Sequence, residues 1–272
     1  MKKQCNFFCS VIILLVFWGN VFALENNISG NARIAGMGFT QVVNDSGLFS
    51  NPAGFTEERI VINISNSELF ETGVIYNYLE TGLRISEKLI INFGYESVVD
   101  RDQFDNSGYG QRLIAFGVAA KMHSALQVGV SLSQSKYMLF ENASGSGYSL
   151  NIGVGYGPKQ VGKAKLNLGF KIDDMLAQRT YKSKRTEMPQ TQISLGGQLR
   201  TDNLIYAVDL QSDSFRFGLE YQVIPALALR AGFEEGQLTL GVGISRGPIK
   251  IDYAYWLAEV GATHRISTGL SF

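Results

Sequence analysis

Residues 237–245 read Gln-Leu-Thr-Leu-Gly-Val-Gly-Ile-Ser. Leu238, Leu240, Val242 and Ile244 share one parity, and Gln237, Thr239, Gly241, Gly243 and Ser245 share the other. Successive side chains of a strand point to opposite faces, so this stretch makes a strand with one greasy face and one small or polar face. The pattern recurs in short segments on both sides of it, from about Gln190 to the last residue. A series of such strands with no helix to pack on fits a closed antiparallel barrel whose outside is apolar and whose inside is wet. An exported soluble β-sandwich also alternates. The number of segments and the export signal described below favour the barrel.

Fourteen candidate strands follow from the alternation. The first seven are Arg59–Asn66, Thr72–Leu79, Lys88–Glu96, Arg112–Lys121, Ala125–Gln134, Tyr148–Tyr156 and Ala164–Ile172. The rest are Thr191–Arg200, Asn203–Gln211, Phe215–Val223, Ala226–Glu234, Gln237–Ser245, Ile249–Trp256 and His264–Phe272. Most have the length a tilted strand needs to cross a bilayer, roughly 9–11 residues. Alternate connections are short, such as Thr201–Asp202 and Ile224–Pro225. The opposite set includes the long polar stretches Ser97–Gln111, Ser135–Gly147 and Asp173–Gln190. That asymmetry is expected of short periplasmic turns and longer outer loops. The fold class expected is therefore all-β: a closed antiparallel transmembrane β-barrel of about fourteen strands, covering residues 58–272.

The N-terminus carries an export pattern. Lys2 and Lys3 precede the largely apolar run Phe7–Trp18, and Val21 and Ala23 are small residues suited to cleavage after Ala23. Residues 1–23 are thus expected to be a signal peptide. Both cysteines, Cys5 and Cys9, lie within it, so the mature chain would have neither disulfides nor a cysteine metal site. The cut leaves 22 basic residues against 24 acidic ones, a net charge of −2, which gives no support to nucleic-acid binding. Residues 24–57, rich in Gly, Asn and Ser and poor in alternation, are expected to form a small periplasmic hatch, with a short helical turn near Asp45–Ser50. Asn51-Pro52-Ala53-Gly54 is expected to be its tight turn. Pro52 fixes its own φ, Asn51 can bond nearby backbone, and Gly54 permits close approach.

The polar parity of the late strands carries paired charges: Arg216 and Glu220, Arg230 and Glu234, Lys250 and Asp252, then Arg265. An Arg or Lys facing lipid at the bilayer midplane would cost about 2–4 kcal/mol, so these are assigned to the lumen. There they form a salt-bridge ladder, a constriction that holds the hatch or sorts solutes, or both. Phe215, Phe217, Tyr221, Phe233, Tyr253 and Tyr255 fall on the lipid parity as surface and interface aromatics. Trp256 breaks parity at a strand end and is expected to anchor in the headgroups. The terminal Phe272, after Ile266, Thr268 and Leu270, fits the signal read by barrel-assembly machinery.

No catalytic constellation stands out. Gly243-Ile244-Ser245-Arg246-Gly247 spells a nucleophile elbow, but a strand follows where a helix is required. The two histidines, His123 and His264, have no metal spacing. No cofactor, metal or enzymatic activity is expected.

Asn31–Phe55, NARIAGMGFTQVVNDSGLFSNPAGF, resembles the N-terminal signature of the PorV/PorQ and UPF0164 outer-membrane proteins, distant relatives of the FadL channels. The shared elements are Gly36-Met37-Gly38, the acidic turn Asn44-Asp45, and Asn51-Pro52-Ala53-Gly54. Leu229–Phe233, Leu240–Gly243, Asp252–Tyr255 and His264–Ser267 match the style of that group's last strands. The resemblance implies a fourteen-stranded barrel in outer-membrane lipid, with an N-terminal hatch in its periplasmic mouth. It implies either passage of small or hydrophobic molecules or, on the PorV side, docking of exported proteins or secretion machinery. A sealed structural barrel is a third reading. This chain is shorter than most such proteins and its outer loops are modest.

Overall fold

The computed structural model describes residues 29–43, 47–54, 56–100, 110–138, 144–212, 214–258 and 260–272. The expected signal peptide and the Asn44–Asp45 turn lie outside them. A short helix, α1 (Ala32–Gly36), is followed by β1 (Ile60–Leu69), β2 (Val74–Ser86), β3 (Leu89–Asp100), β4 (Gly110–Lys121), β5 (Leu126–Met138), β6 (Gly145–Val161) and β7 (Ala164–Asp173). Two short strands, β8 (Gln178–Tyr181) and β9 (Thr186–Glu187), form a hairpin in the next connection. Then come β10 (Gln192–Arg200), β11 (Leu204–Gln211), β12 (Phe215–Ile224), β13 (Leu227–Glu234), β14 (Gln237–Arg246), β15 (Ile249–Ala258) and β16 (Gly261–Ser271).

Every barrel strand pairs antiparallel with its neighbours in sequence, β7 with β10 across the β8–β9 hairpin. The ring closes where β1 pairs with β16, from Val61↔Ser271 to Glu68↔His264. Fourteen strands make the barrel, and closure leaves it no free edge. The fourteen expected strands all form, each within a few residues of its sequence bounds. The principal differences are extensions of β2 to Ser86 and β6 to Val161. The β8–β9 hairpin was not legible in the alternation. It adds β8 to the top of β6, pairing Gly145↔Tyr181 to Tyr148↔Gln178.

Parity decides which face points outward. Leu238 and Leu240 are 55% and 47% exposed, while Arg216, Glu234 and Arg265 are buried at 0%, 2% and 1%. A ten-residue strand is about 33 Å long, and a tilt of about 40° brings its rise to about 25 Å, the height of a membrane's apolar band. Among the described residues no helix is long and apolar enough to cross a membrane. One end of the barrel carries the short turns and the β1–β16 ends, and will be called the turn end. The other, the loop end, has its long connections gathered between β3 and β10.

Fourteen strands about 4.8 Å apart and tilted about 40° give a backbone radius of about 14 Å. Wall side chains alone cannot fill such a ring. Residues 29–43 and 47–54 lie inside it. Ala32, Ile34, Ala35 and Phe39 pack against Leu69, Tyr76, Tyr78 and Trp256 of the wall. Trp256 is therefore not a headgroup anchor. It is 6% exposed, its ring meets Phe39 and Phe70 edge-on at 5.1 and 5.0 Å, and its Nε1 donates to Gln237 Oε1 at 2.7 Å. Its position keeps the lumen parity of Ala254 and Asp252. The segment's helix lies at Ala32–Gly36. Near Asp45–Ser50 only the turn at Gly47–Asn51 is described, closed by Asn51 N–H donating to Gly47 O at 2.8 Å.

The inner segment touches the wall backbone to backbone, and lumen-facing glycines make the room. A Cβ on Gly232 would lie 2.0 Å from Gly38 N, and one on Gly129 would lie 2.0 Å from Pro52 O. Gly153, Gly169 and Gly218 line the same contact on other strands, and Gly117 and Gly196 make room for the side chains of Leu48 and Val42. Gly232→Val is expected to leave the barrel folded but expel the segment, since overpacking costs about 1–3 kcal/mol or more and the segment yields more easily than the ladder. Limited proteolysis of the refolded protein should cut within residues 29–54 at least tenfold faster. Gly197→Ala, where the added Cβ meets only Leu168 Cδ2 at 3.9 Å, should behave as the parent.

Candidate functional site

The lumen charges grip the inner segment as well as each other. Arg216 Nε lies 2.8 Å from Glu234 Oε1, and Arg216 Nη1 donates to Phe39 O at 3.3 Å. Glu220 accepts from Arg230 Nε at 2.6 Å and from Arg33 Nε of the inner helix at 2.9 Å. Arg230 Nη1 continues to Asp252 Oδ1 at 2.7 Å. Arg265 Nη1 donates to Gly30 O at 2.8 Å, and its guanidinium lies 4.4 Å from the Tyr76 ring centroid. Six of the seven expected lumen charges thus join the buried network. Lys250 does not: it keeps the parity of Asp252 but sits at the exposed start of β15 beside the Gly247–Pro248 turn.

Further anchors come from wall residues outside those charge pairs. Asp209 Oδ2 accepts from the amides of Gln41 and Val42 at 2.6 and 2.9 Å. Lys171 Nζ donates to Phe49 O at 2.9 Å and pairs with Asp173 at 2.9 Å. Glu80 accepts from the Leu48 amide. Ser267, Thr239 and Tyr76 accept from the amides of Ala32, Gly38 and Gly30 at 2.5, 2.9 and 2.9 Å. The wall supplies cations to carbonyls and carboxylates to amides, so much of the segment is held by its backbone. Charge-assisted bonds of this kind contribute about 1.5–3 kcal/mol each. Parity alone flags Asp209, which alternates with Val208 and Leu210, and Lys171, which alternates with Phe170 and Ile172. Glu80 falls one residue past the expected end of its strand.

Asn51-Pro52-Ala53-Gly54 is the turn expected of it. Asn51 Oδ1 accepts from Ala53 N–H at 3.0 Å, Asn51 O accepts from Gly54 N–H at 2.8 Å, and Asn51 Nδ2 donates to Val42 O at 2.9 Å. The side chain of Asn51 thereby ties the two arms of the segment together. At the seam, Phe272 N–H donates to Ile60 O at 2.9 Å and Phe272 O accepts from Ile60 N–H at 3.1 Å. Gly243–Arg246 stays in strand β14 and turns into β15, so no nucleophile elbow exists there. His264 Nδ1 lies 2.7 Å from Tyr253 Oη on the outer face. Among the described residues no acidic, histidine or cysteine cluster could hold a metal.

Two cavities flank the segment. The turn-end chamber, about 560 Å³, is bordered by Val42, Asn51, Ala53, Lys165, Gln198 and Arg200. The loop-end chamber, about 120 Å³, is bordered by Gln41, Phe49, Glu96, Ser133, Ser149 and Asp174. The connection after β7 folds over the latter. Asp174 N–H donates to Asn151 Oδ1 and Met175 N–H to Leu150 O, both at 2.9 Å. Burial raises the Asp174 carboxyl above its ordinary value, against a smaller lowering by its bond to Ser149.

No family model matches the chain, and no curated protein matches it. Solved structures do. The Pseudomonas putida toluene transporter TodX superposes with a TM-score of 0.57 at 12% identity, over 93% of this chain and 98% of that one. The monoaromatic hydrocarbon channel CymD gives 0.57 at 14% identity, over 90% and 97%. A Pseudomonas aeruginosa FadL homologue gives 0.51 at 11% identity, over 89% and 97%. The chain therefore shares the fold of these barrels, a closed antiparallel ring of fourteen strands.

Two outcomes follow for the anchors. Arg216→Met leaves Glu234 buried without its cation and should destabilise the refolded barrel by about 3–5 kcal/mol, while Arg216→Met/Glu234→Leu should recover most of that. Urea unfolding from vesicles measures both. For Asp174, burial disfavours the ionised form, so the penalty is present at neutral pH and is relieved as pH falls through the raised folded pKa towards about 3.9, the unfolded value. Asp174→Asn should raise the melting temperature most at pH 7–8, with the advantage shrinking towards pH 4.

Proposed function

We propose that the protein is a bacterial outer-membrane channel for small solutes, closed at rest by residues 29–43 and 47–54 acting as a hatch. The observation that carries this reading is the pair of chambers on opposite sides of one thin partition. Gln41 and Phe49 border the loop-end chamber, and their near neighbours Val42 and Asn51 border the turn-end one. Shifting that layer by a few ångströms would join them. The fold shared with barrels described as hydrocarbon channels supports passage, and the Gly36–Gly38 and Asn51–Gly54 signature supports placement with PorV/PorQ-like proteins. On this reading residues 1–23 direct export, cleavage follows Ala23, assembly machinery reads Phe272, and the outward apolar parity sits in outer-membrane lipid.

Freeing the partition tests it. Asp209→Ala/Lys171→Met removes three bonds to the Gln41–Phe49 stretch. In planar bilayers the parent should show small or rare conductance steps, and the double variant conductance at least threefold higher. Asp252→Asn removes a lumen charge that does not touch that stretch and should change conductance little. If the double variant is as silent as the parent, the barrel is sealed and the channel reading fails.

A further inference from the structure

We propose that the outside of the wall holds the phosphate of an anionic lipid headgroup between Arg112 of β4 and Lys136 of β5, with the lipid's acyl chains lying along the apolar wall beneath. The inference rests on the membrane placement argued above, with the loop end in the outer leaflet, and not on passage through the lumen.

Arg112 and Lys136 stand directly opposite each other across the β4–β5 ladder. Their chain neighbours Gln111, Ser135 and Tyr137 border the loop-end chamber, so these two side chains point outward. Both are exposed. The outward parity of the fourteen strands is otherwise almost free of cations. Among the described strand residues it holds two more, Lys159 of β6 and Arg246 of β14, and both lie near the turn end. The two outward cations of the loop-end half therefore fall side by side.

Their depth fits a headgroup. Arg112 is nine positions from Lys121 along β4, and Lys136 is ten from Leu126 along β5. At about 3.3 Å per residue and a tilt of about 40°, both lie about 23–25 Å above the turn end. That is the far boundary of an apolar band about 25 Å tall. Directly below them the same two strands become apolar. Ile114, Phe116 and Leu132 are 48%, 51% and 63% exposed, and Phe116 stands opposite Leu132. A phosphate seated on the cations brings the chains of its lipid against these residues.

The pair has no internal partner. Like charges directly opposite across a ladder repel. Among the described residues neither side chain makes a hydrogen bond or an ion pair. The neighbours in the same row are Ser97 of β3, opposite Arg112, and Ser146 of β6, opposite Lys136. The row thus offers two cations and hydroxyls, with no carboxylate. An anion between the two cations relieves their repulsion. Phosphate suits them: arginine presents a planar fork to two of its oxygens, and lysine a point charge to another. Basic clusters at a membrane surface attract anionic headgroups in the same way. An acidic peptide would meet the charges and leave the apolar wall unused, and a zwitterionic lipid would bring a cation of its own.

The test uses the full mature chain refolded in detergent, with phosphatidic acid and phosphatidylcholine as probes. Native mass spectrometry should show phosphatidic acid retained at least fivefold more than phosphatidylcholine. Excess glycerol 3-phosphate, which has the headgroup without the chains, should not displace it. Arg112→Gln/Lys136→Gln should abolish the preference, and Lys159→Gln/Arg246→Gln, which removes the same charge from the turn end, should keep it. Heat-modifiable migration on gels confirms that each barrel is intact. Equal retention of the two lipids, displacement by glycerol 3-phosphate, or equal losses in the two double variants overturns the inference. Flotation with phosphatidylcholine vesicles checks the placement beneath it: a chain that does not float defeats the membrane reading and this inference together. A barrel that floats and prefers phosphatidic acid, yet stays silent in planar bilayers with its hatch freed, keeps this inference and removes the channel reading.

Discussion

The whole structure answers to the width of a fourteen-stranded ring. Once the sheet closes, its hydrogen bonds are satisfied, but its radius exceeds what inward side chains can fill. Larger residues alone would not close the gap without crowding the ladder. Here a length of ordinary backbone occupies the interior, and the wall adapts to it. Glycine stands where main chain meets main chain, and charged or hydroxyl groups stand where an amide or carbonyl needs a partner. A polar peptide buried in a barrel is tolerable only with such extensive pairing, because each unmet group carries a desolvation penalty.

This explains why the lumen charges do two things at once. An arginine–glutamate pair buried in a protein is a weak source of stability by itself, since desolvation offsets most of the attraction. Glu220 is shared between Arg230 of the wall and Arg33 of the inner helix, and Arg216 reaches both Glu234 and Phe39 O. The pairs hold the cations in position, and the cations hold the segment. The salt-bridge ladder and the grip on the inner segment are one network.

Strand positions and their inward and outward faces were readable from the sequence because alternation with period two is the dominant constraint on a membrane barrel. Gln237–Ser245 specified its own strand and both of its faces. The Asn51–Gly54 turn was readable because proline and an Asx bond are local. What was not readable is non-local. Trp256 looked like a parity error at a membrane boundary, yet it follows the lumen parity and meets Phe39, more than two hundred residues away in sequence. Asp209 and Lys171 obeyed parity as single charges, but nothing nearby in sequence showed that their partners would be backbone amides and carbonyls. The β8–β9 hairpin lies in a loop too polar and too short-stranded to alternate visibly. Lys250 has the right parity and the wrong depth, and depth along a strand is set by shear.

The seam between the first and last strands bears on how the molecule comes to be. Ile60 and Phe272 exchange hydrogen bonds, so the ring cannot shut until Phe272 has been made. The inner segment is attached just ahead of β1 and is synthesised before the fourteen strands of the ring. It is on hand throughout assembly, and the last zipping step can enclose it directly. The empty interior need never exist as an intermediate, and the inner segment requires no later entry through a finished rim.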